Sequence, residues 1–401
     1  MMRPVMAACA CAVVLAPAAA GAAESGPMDP FHLEASAAAE TSPVFEADGA
    51  DADDPAVWVH PEDSSRSVVY GTAKEGGLYA YGLDGSELQH LPAGEGGRYN
   101  NVAVVTGFEL DDREVDLAVA SDRGRDTVAV WEIDRETGLL TDVSAPGLDW
   151  VFSDSAEEVA ERHTAYGLTA WSDDGDAYVL VTQADETAVA LLELDDEDGR
   201  VSYEHEAELS LPDEFTLPDG TEWSPCTDPG EYAHAEGLAV DESGETAYIA
   251  QEAVGIWEVP ADLDEEPELL DTVAEFGVPA EYDPVEDDCV AGEDPGFGGE
   301  HLSADVEGLA VAGDELFASS QGNDVFAVYG LDSGEFERSF AIVDGEAADG
   351  AQHTDGLTVA AGPVGPFREG LLVVQDGDNT PEGTDESSTN FKFVPLQKVL
   401  G

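Results

Sequence analysis

The sequence predicts an all-β chain folded as a six-bladed β-propeller, with antiparallel blades around a central channel, and three observations carry that expectation. Short runs of β-branched and aromatic residues are punctuated by Gly, Asp and Asn turns. Hardly any segment shows sustained helical periodicity. One phrase, a polar residue, one or two small or apolar residues and then a short strand, recurs six times: Asp54-Pro-Ala-Val-Trp, Asn101-Val-Ala-Val-Val, Tyr166-Gly-Leu-Thr-Ala, Glu236-Gly-Leu-Ala-Val, Glu307-Gly-Leu-Ala-Val and Asp355-Gly-Leu-Thr-Val.

Each phrase opens a unit of roughly 50 to 70 residues. A second strand follows and ends in polar residues, at Lys74, Arg123, Gln183, Glu252, Gln321 and Asp376. A third strand often runs into a turn, as in Leu78-Tyr-Ala-Tyr-Gly-Leu-Asp84 and Val325-Phe-Ala-Val-Tyr-Gly-Leu-Asp332. A lone blade cannot bury both faces, so the ring has to close, with the segment around Phe45 expected to pair with the last blade. Two stacked sandwich domains are the alternative, disfavoured because the same phrase spans the whole ordered chain.

The propeller is expected over 46–401, after two other segments. Residues 1–23 read as a signal peptide: Met1-Met2-Arg3, an apolar run to about Leu15, then small residues through Ala20 and Ala23. Residues 24–45, rich in Ala, Ser and Glu, read as a disordered lead-in. The mature chain is therefore expected to be secreted, and the lack of a later apolar run of about 18 residues argues against a membrane span. Cys226 and Cys289 remain after cleavage of the leader, and an oxidising exterior makes them an expected disulfide.

There are 89 Asp plus Glu against 14 Lys plus Arg, a formal charge of −75, which excludes nucleic acid as a partner because the surface repels a phosphate backbone. Most of this acidity reads as a solvated, high-salt-adapted surface, and a monomer is expected.

A propeller turns the repeat into a ring, since equivalent residues of the inner strands surround one mouth. That ring would hold Asp54, Asn101, Tyr166, Glu236, Glu307 and Asp355. Crowded carboxylates repel one another and resist ionisation unless a cation neutralises them. Calcium suits the set, because it prefers six to eight oxygen ligands. Zinc does not, for there is no His-Glu-x-x-His motif, and His234 and His353 read as structural or rim residues. Scarce cations, Lys74 and Arg123 at matching register and Arg98 beside Asn100-Asn101, suit a phosphate; surface salt bridging is the plainer use for them.

These motifs resemble the β-propeller phytases, also called alkaline phytases, over nearly all of Asp48 to Leu400. The resemblance rests on phrases in family order, among them Asp51-Ala-Asp-Asp-Pro-Ala-Val-Trp-Val-His-Pro61, Asn100-Asn-Val102, Asp305-Val-Glu-Gly308, Ser319-Ser-Gln-Gly-Asn323, Val374-Gln-Asp-Gly377 and Asn390-Phe-Lys392. It implies a calcium-dependent phosphomonoesterase acting on phytate or another polyphosphorylated small molecule, in which water held by several calcium ions attacks phosphorus directly. It also implies one phosphate site for cleavage and a neighbouring one that grips.

By the same resemblance Lys74, Arg123, Tyr166 and Glu236 are the expected catalytic residues, with Arg98 added to Lys74, Arg123 and Tyr166 for substrate binding. The expected metal ligands are Asp53, Asp54, Asn101, Glu236, Glu252, Asp305, Glu307, Gln321, Asp355 and Asp376. The chain departs from the family pattern at Ala103, where an Asp is common, and at Glu75 and Ala184, near which lysines are usual, so weaker phosphate binding is expected. A calcium-dependent lactonase-like propeller and a non-catalytic binding propeller are the competing readings. Tyr79, Tyr81 and Trp131 could serve the latter as an aromatic surface, although blade-core packing explains them better.

Overall fold

Six small antiparallel sheets follow one another along the chain in a computed structural model that describes residues 32–45, 49–173, 175–285, 288–381 and 387–400. The leader expected over 1–23 lies outside the described residues, as does the first part of the lead-in. From the channel outward, blade 1 comprises Pro55–Trp58, Val68–Thr72, Leu78–Tyr81 and Glu87–Leu91. Blade 2 comprises Tyr99–Leu110, Arg113–Asp122, Thr127–Ile133 and Leu140–Asp142; blade 3, Ala165–Asp173, Asp176–Gln183, Ala188–Asp196 and Val201–Ser210. Blade 4 comprises Ala235–Val240, Thr246–Gln251, Gly255–Pro260 and Glu268–Thr272, and blade 5 Val306–Ala312, Glu315–Ser320, Val325–Gly330 and Phe336–Ile342. Blade 6 comprises Leu357–Ala361, Gly370–Asn379 and Ser388–Pro395.

The segment expected as a disordered lead-in is corrected over its described part, because three of its stretches are strands. His32–Ala35 runs parallel to the outer strand of blade 5, while Ala39–Glu40 and Val44–Phe45 pair with Ser388–Pro395 of blade 6. Such pieces are too short to show a period in sequence, and an open sheet edge decides their conformation. Phe45 thereby joins the last blade, as ring closure requires.

The core is built between blades. Val105 and Leu117 of blade 2 pack with Leu168 and Val179 of blade 3, and equivalent apolar layers join each consecutive pair. A last layer, with Phe391 and Phe393 against Val69 and Tyr81, joins blade 6 to blade 1. Tyr81 and Trp131 are buried in these layers, so they do not form an aromatic surface. The inner strands of all six blades line a central channel cavity of about 280 Å3. Among the described residues no helix is long and apolar enough to cross a membrane.

Candidate active site

The recurring phrase is aimed by backbone irregularity. In blades 2 to 5 the pairing of the inner strand slips at the same place, between Tyr99 and Val102, Ala165 and Leu168, Ala235 and Leu238, and Val306 and Leu309. A bulge re-aims the side chains it carries, and these bulges carry Asn100 and Asn101, Tyr166, Glu236 and Glu307. The glycine that follows Tyr166, Glu236, Glu307 and Asp355 admits the backbone of the following blade. A Cβ on Gly167 would lie 1.8 Å from the Glu236 carbonyl oxygen, and one on Gly237 2.1 Å from that of Glu307. The Gly308 N–H donates to the Asp355 carbonyl at 2.8 Å, and the Gly356 N–H to that of Asp53 at 3.1 Å.

Neighbouring blades therefore deliver their polar residues to one mouth. Carboxylate oxygens of Glu236, Glu252 and Glu307 lie within 4.8 Å of one another. The Asn100 amide, fully buried, donates to Glu236 Oε1 at 2.8 Å and to Asp53 Oδ1 and Asn101 Oδ1 at 3.2 Å each. Lys74 Nζ lies 2.7 Å from Asp51, 3.2 Å from Asp53 and 3.6 Å from Asp355. Gln321 donates to Asp355 at 2.7 Å, and Asp54 accepts the Val102 N–H at 3.0 Å. Arg123 lies over the Tyr166 ring at 4.5 Å and 3.9 Å from Asp185, while the Tyr166 hydroxyl is bonded to Glu236.

Electrostatics record the crowding. Burial, then Asp53, Asp355 and Glu252, push the Glu236 carboxyl well above its usual range; burial, then Glu252 and Glu236, do the same to Glu307. Asp54 is raised by burial as well, and Asp355, by burial and then Asp53, to about 8. Asp305, exposed at the rim, is raised by desolvation of its carboxyl and then by Glu252. Burial alone would discharge Lys74, yet Asp53, Asp355 and Asp51 hold it charged. Tyr166 is kept protonated by burial and by Glu236.

A hard cation fits this donor set. It is all oxygen, buried and rich in negative charge, and Glu307 Oε2 and Asn100 Oδ1 are buried acceptors without a hydrogen-bond donor. Glu236, Glu252 and Glu307 are the residues best disposed to hold an ion.

The structure thus brings together Asp53, Asp54, Lys74, Asn101, Arg123, Tyr166, Glu236, Glu252, Asp305, Glu307, Gln321 and Asp355. Arg98 sits beside them, 2.7 Å from Glu75. Asp376 is not brought to this cluster: it is fully buried against Lys392 Nζ at 3.1 Å, in a separate network with Glu40 and Asp349. In blade 1 the second strand stops at Thr72 and Lys74 lies in the following turn, whereas in blade 6 it runs on to Asn379 and holds Asp376 in the pleat.

Three contributors were missed from the sequence. Asn100 is the hub just described, and its place beside Asn101 was the available signal. Asp51 anchors Lys74 from the same acidic run as Asp53 and Asp54. His234, read as a structural or rim residue, donates from Nε2 to the Glu252 carboxylate at 2.9 Å; burial would lower its pKa, but Glu252 raises it to about 9, so it is a cation at the cluster's edge.

Cys226 and Cys289 form a disulfide that ties the loop after the hairpin Phe215–Thr216/Glu222–Trp223 to the hairpin Ala280–Asp283/Asp288–Ala291. The phytase family matches residues 3–212 and 231–400, leaving that first hairpin outside the match. A 3-phytase of Bacillus subtilis is 30% identical over 381 residues, covering 92% of this chain and 85% of that protein. Among solved structures, a protein of unknown function from Bacteroides thetaiotaomicron has a TM-score of 0.46 and 10% identity, with 90% of this chain and 74% of that chain covered. A chain of a nidogen/laminin complex has a TM-score of 0.39 and 12% identity, with 73% and 81% covered. With its match on both sides of one short insertion and a curated relative at that identity, the chain belongs to the phytase family.

Proposed function

We propose that this chain is a secreted, calcium-dependent phosphomonoesterase that hydrolyses phytate, myo-inositol hexakisphosphate, to lower inositol phosphates and phosphate. The single observation that carries the reading is the pairing of Lys74 and Arg123 with a buried oxygen cluster in a chain of formal charge −75. Calcium, held by Glu236, Glu252 and Glu307, would supply Lewis-acid chemistry and offset the field that otherwise repels a polyanion.

The protein's own groups have separable tasks. Lys74, held charged by three carboxylates, offers a point charge to a phosphoryl oxygen. Arg123, braced on the Tyr166 ring, offers a planar pair of donors to two such oxygens. Both stabilise negative charge that grows on the equatorial oxygens as the ester breaks. Asn100 and the Tyr166 hydroxyl fix the Glu236 carboxylate from two sides, so its orientation does not depend on the substrate. The Cys226–Cys289 disulfide supports an oxidising, extracellular location.

The test is phosphate release from phytate in the presence of calcium, for the parent and for Lys74→Ala and Arg123→Ala. Each substitution is expected to lower kcat/KM by about 100-fold or more. Parent-like rates in both variants would overturn the assignment.

A further inference from the structure

Residues 213–230 fall outside the family match, and the structure they build reaches the mouth. Their hairpin, Phe215–Thr216 paired with Glu222–Trp223, packs Phe215 and Trp223 against Phe276, with ring centroids 5.1 and 4.7 Å away. Trp223 Nε1 donates to the Val278 carbonyl at 2.8 Å, and Cys226 is bonded to Cys289 of the second hairpin. The insertion is thus tied at two points to chain 55 and 63 residues further on, which restricts it far more than its own short hairpin would. Between this wall and the ends of blades 4 and 5 lies a cavity of about 410 Å3. Its lining includes Glu252, His234 and Asp305, so it is continuous with the carboxylate cluster of the mouth. Elsewhere the lining is largely apolar, with Trp223, Pro225, Val278, Ala280, Ala291 and the disulfide.

We propose that this cavity is an annex of the mouth that takes the uncharged, apolar portion of a phosphomonoester, an aryl group above all, so that the insertion adds aryl monophosphates to the substrates of the site. The inference rests on the phosphatase reading above and names a further substrate class for the same mouth. With its phosphoryl group at Lys74 and Arg123, an ester must direct its alcohol portion away from them, and the annex offers that portion an apolar surface to bury. Asp228, Glu231 and Glu275 also line the cavity, and among the described residues none of its lining is Lys or Arg. A second phosphate placed there would meet three carboxylates and no counter-charge, so the annex selects against a polyanion while it accepts a neutral ring. Neither hairpin supplies a group to the cluster itself; their contribution is the shape and polarity of the space beside it.

Calorimetric binding of phenylphosphonate and of methylphosphonate, with calcium present, reads the annex without turnover, because neither probe has an ester bond to hydrolyse. The parent is expected to bind phenylphosphonate about tenfold more tightly, since only its ring buries apolar area there. Ala280→Phe and Ala291→Phe, which fill the annex from a half-buried and an exposed position of its wall, should reduce this preference to within twofold. Cys226→Ser/Cys289→Ser, which frees the wall, should weaken it as well, and melting temperatures taken alongside identify any variant that is poorly folded. Steady-state kinetics should follow: the ratio of kcat/KM for p-nitrophenyl phosphate to that for phytate falls at least fivefold in the two filling variants. A parent that binds neither phosphonate, or binds both within twofold, refutes the annex whatever its activity, as does a preference that both filling variants retain. If that parent still cleaves phytate, the phosphatase reading stands without the annex. If the parent releases no phosphate from either ester yet prefers phenylphosphonate and loses the preference on filling, the phosphatase reading falls and the annex stands.

Discussion

Asn100→Ala isolates the group on which the mouth's geometry depends. Its amide is fully buried and donates to two carboxylates, Glu236 at 2.8 Å and Asp53 at 3.2 Å, which come from different blades. Hydrogen bonds to charged acceptors contribute about 1.5–3 kcal/mol each, and a buried acceptor left without its donor loses that in full, so the substitution should cost about 3–5 kcal/mol. The folded unit Phe31–Gly401 has about 370 residues, and an unfolding entropy near 2.1 cal/mol/K per residue makes each kcal/mol worth about 1.3 °C. The expected fall in Tm is therefore about 4–6 °C, read by scanning calorimetry in calcium. Activity on phytate should fall as well, since Glu236 loses one of its two restraints. A Tm within 1 °C of the parent would refute the role of Asn100 as a hub.

Other perturbations report on neighbouring parts of the structure. In chelator, stability should fall as pH rises from about 4 to about 8. The native carboxyls of Asp54, Glu236, Glu307 and Asp355 hold protons more tightly than the unfolded chain does, the last to about 8, so ionising them opposes folding. Calcium should flatten or reverse this slope, and urea midpoints at pH 5 and pH 8.5 measure it; a chelated protein that is more stable at pH 8.5 would contradict it. Lys392→Met removes the cation that holds Glu40, Asp349 and Asp376 and leaves the Asp376 carboxylate buried without a counter-charge, a loss of about 3–5 kcal/mol. Because Glu40 lies on a strand that closes the ring, limited proteolysis within 32–45 should accelerate, and an unchanged rate would count against that closure. Gly237→Ala puts a Cβ 2.1 Å from the Glu307 carbonyl oxygen, so it should lower both Tm and phosphate release; a neutral result would show that blades 4 and 5 do not meet there.

How much of this was legible depends on what repeats. The phrase around Asp54, Asn101, Tyr166, Glu236, Glu307 and Asp355 recurs with its strand, and a ring fold places recurrent positions together, so both the propeller and the cluster could be read from spacing. The bulges that aim the side chains leave no separate mark in the sequence; Asn100 and Asn101 are adjacent polar residues, and only the slip between Tyr99 and Val102 turns both toward the mouth. Asp376 lies away from the cluster for a related reason. It is two residues past Val374, as Lys74 is past Thr72, but a strand that continues to Asn379 fixes its face, and alternation then points it to Lys392. Gln375, one residue earlier, bonds to Ala52 and Asp355 instead. His234 looked incidental because a lone histidine gains meaning from its partner, and Glu252 is distant in sequence and close in space. The strands before Phe45 were invisible because their conformation belongs to the edges they cover.

The central claim is that carboxylates gathered by Glu236, Glu252 and Glu307 hold a cation without which phosphate is not released. Phosphate release from phytate, followed while calcium is removed by excess chelator and then restored, tests it most directly. The account predicts loss of activity on removal and full recovery on calcium addition in the parent, with no recovery in Glu236→Gln/Glu307→Gln. Undiminished release in excess chelator would contradict it.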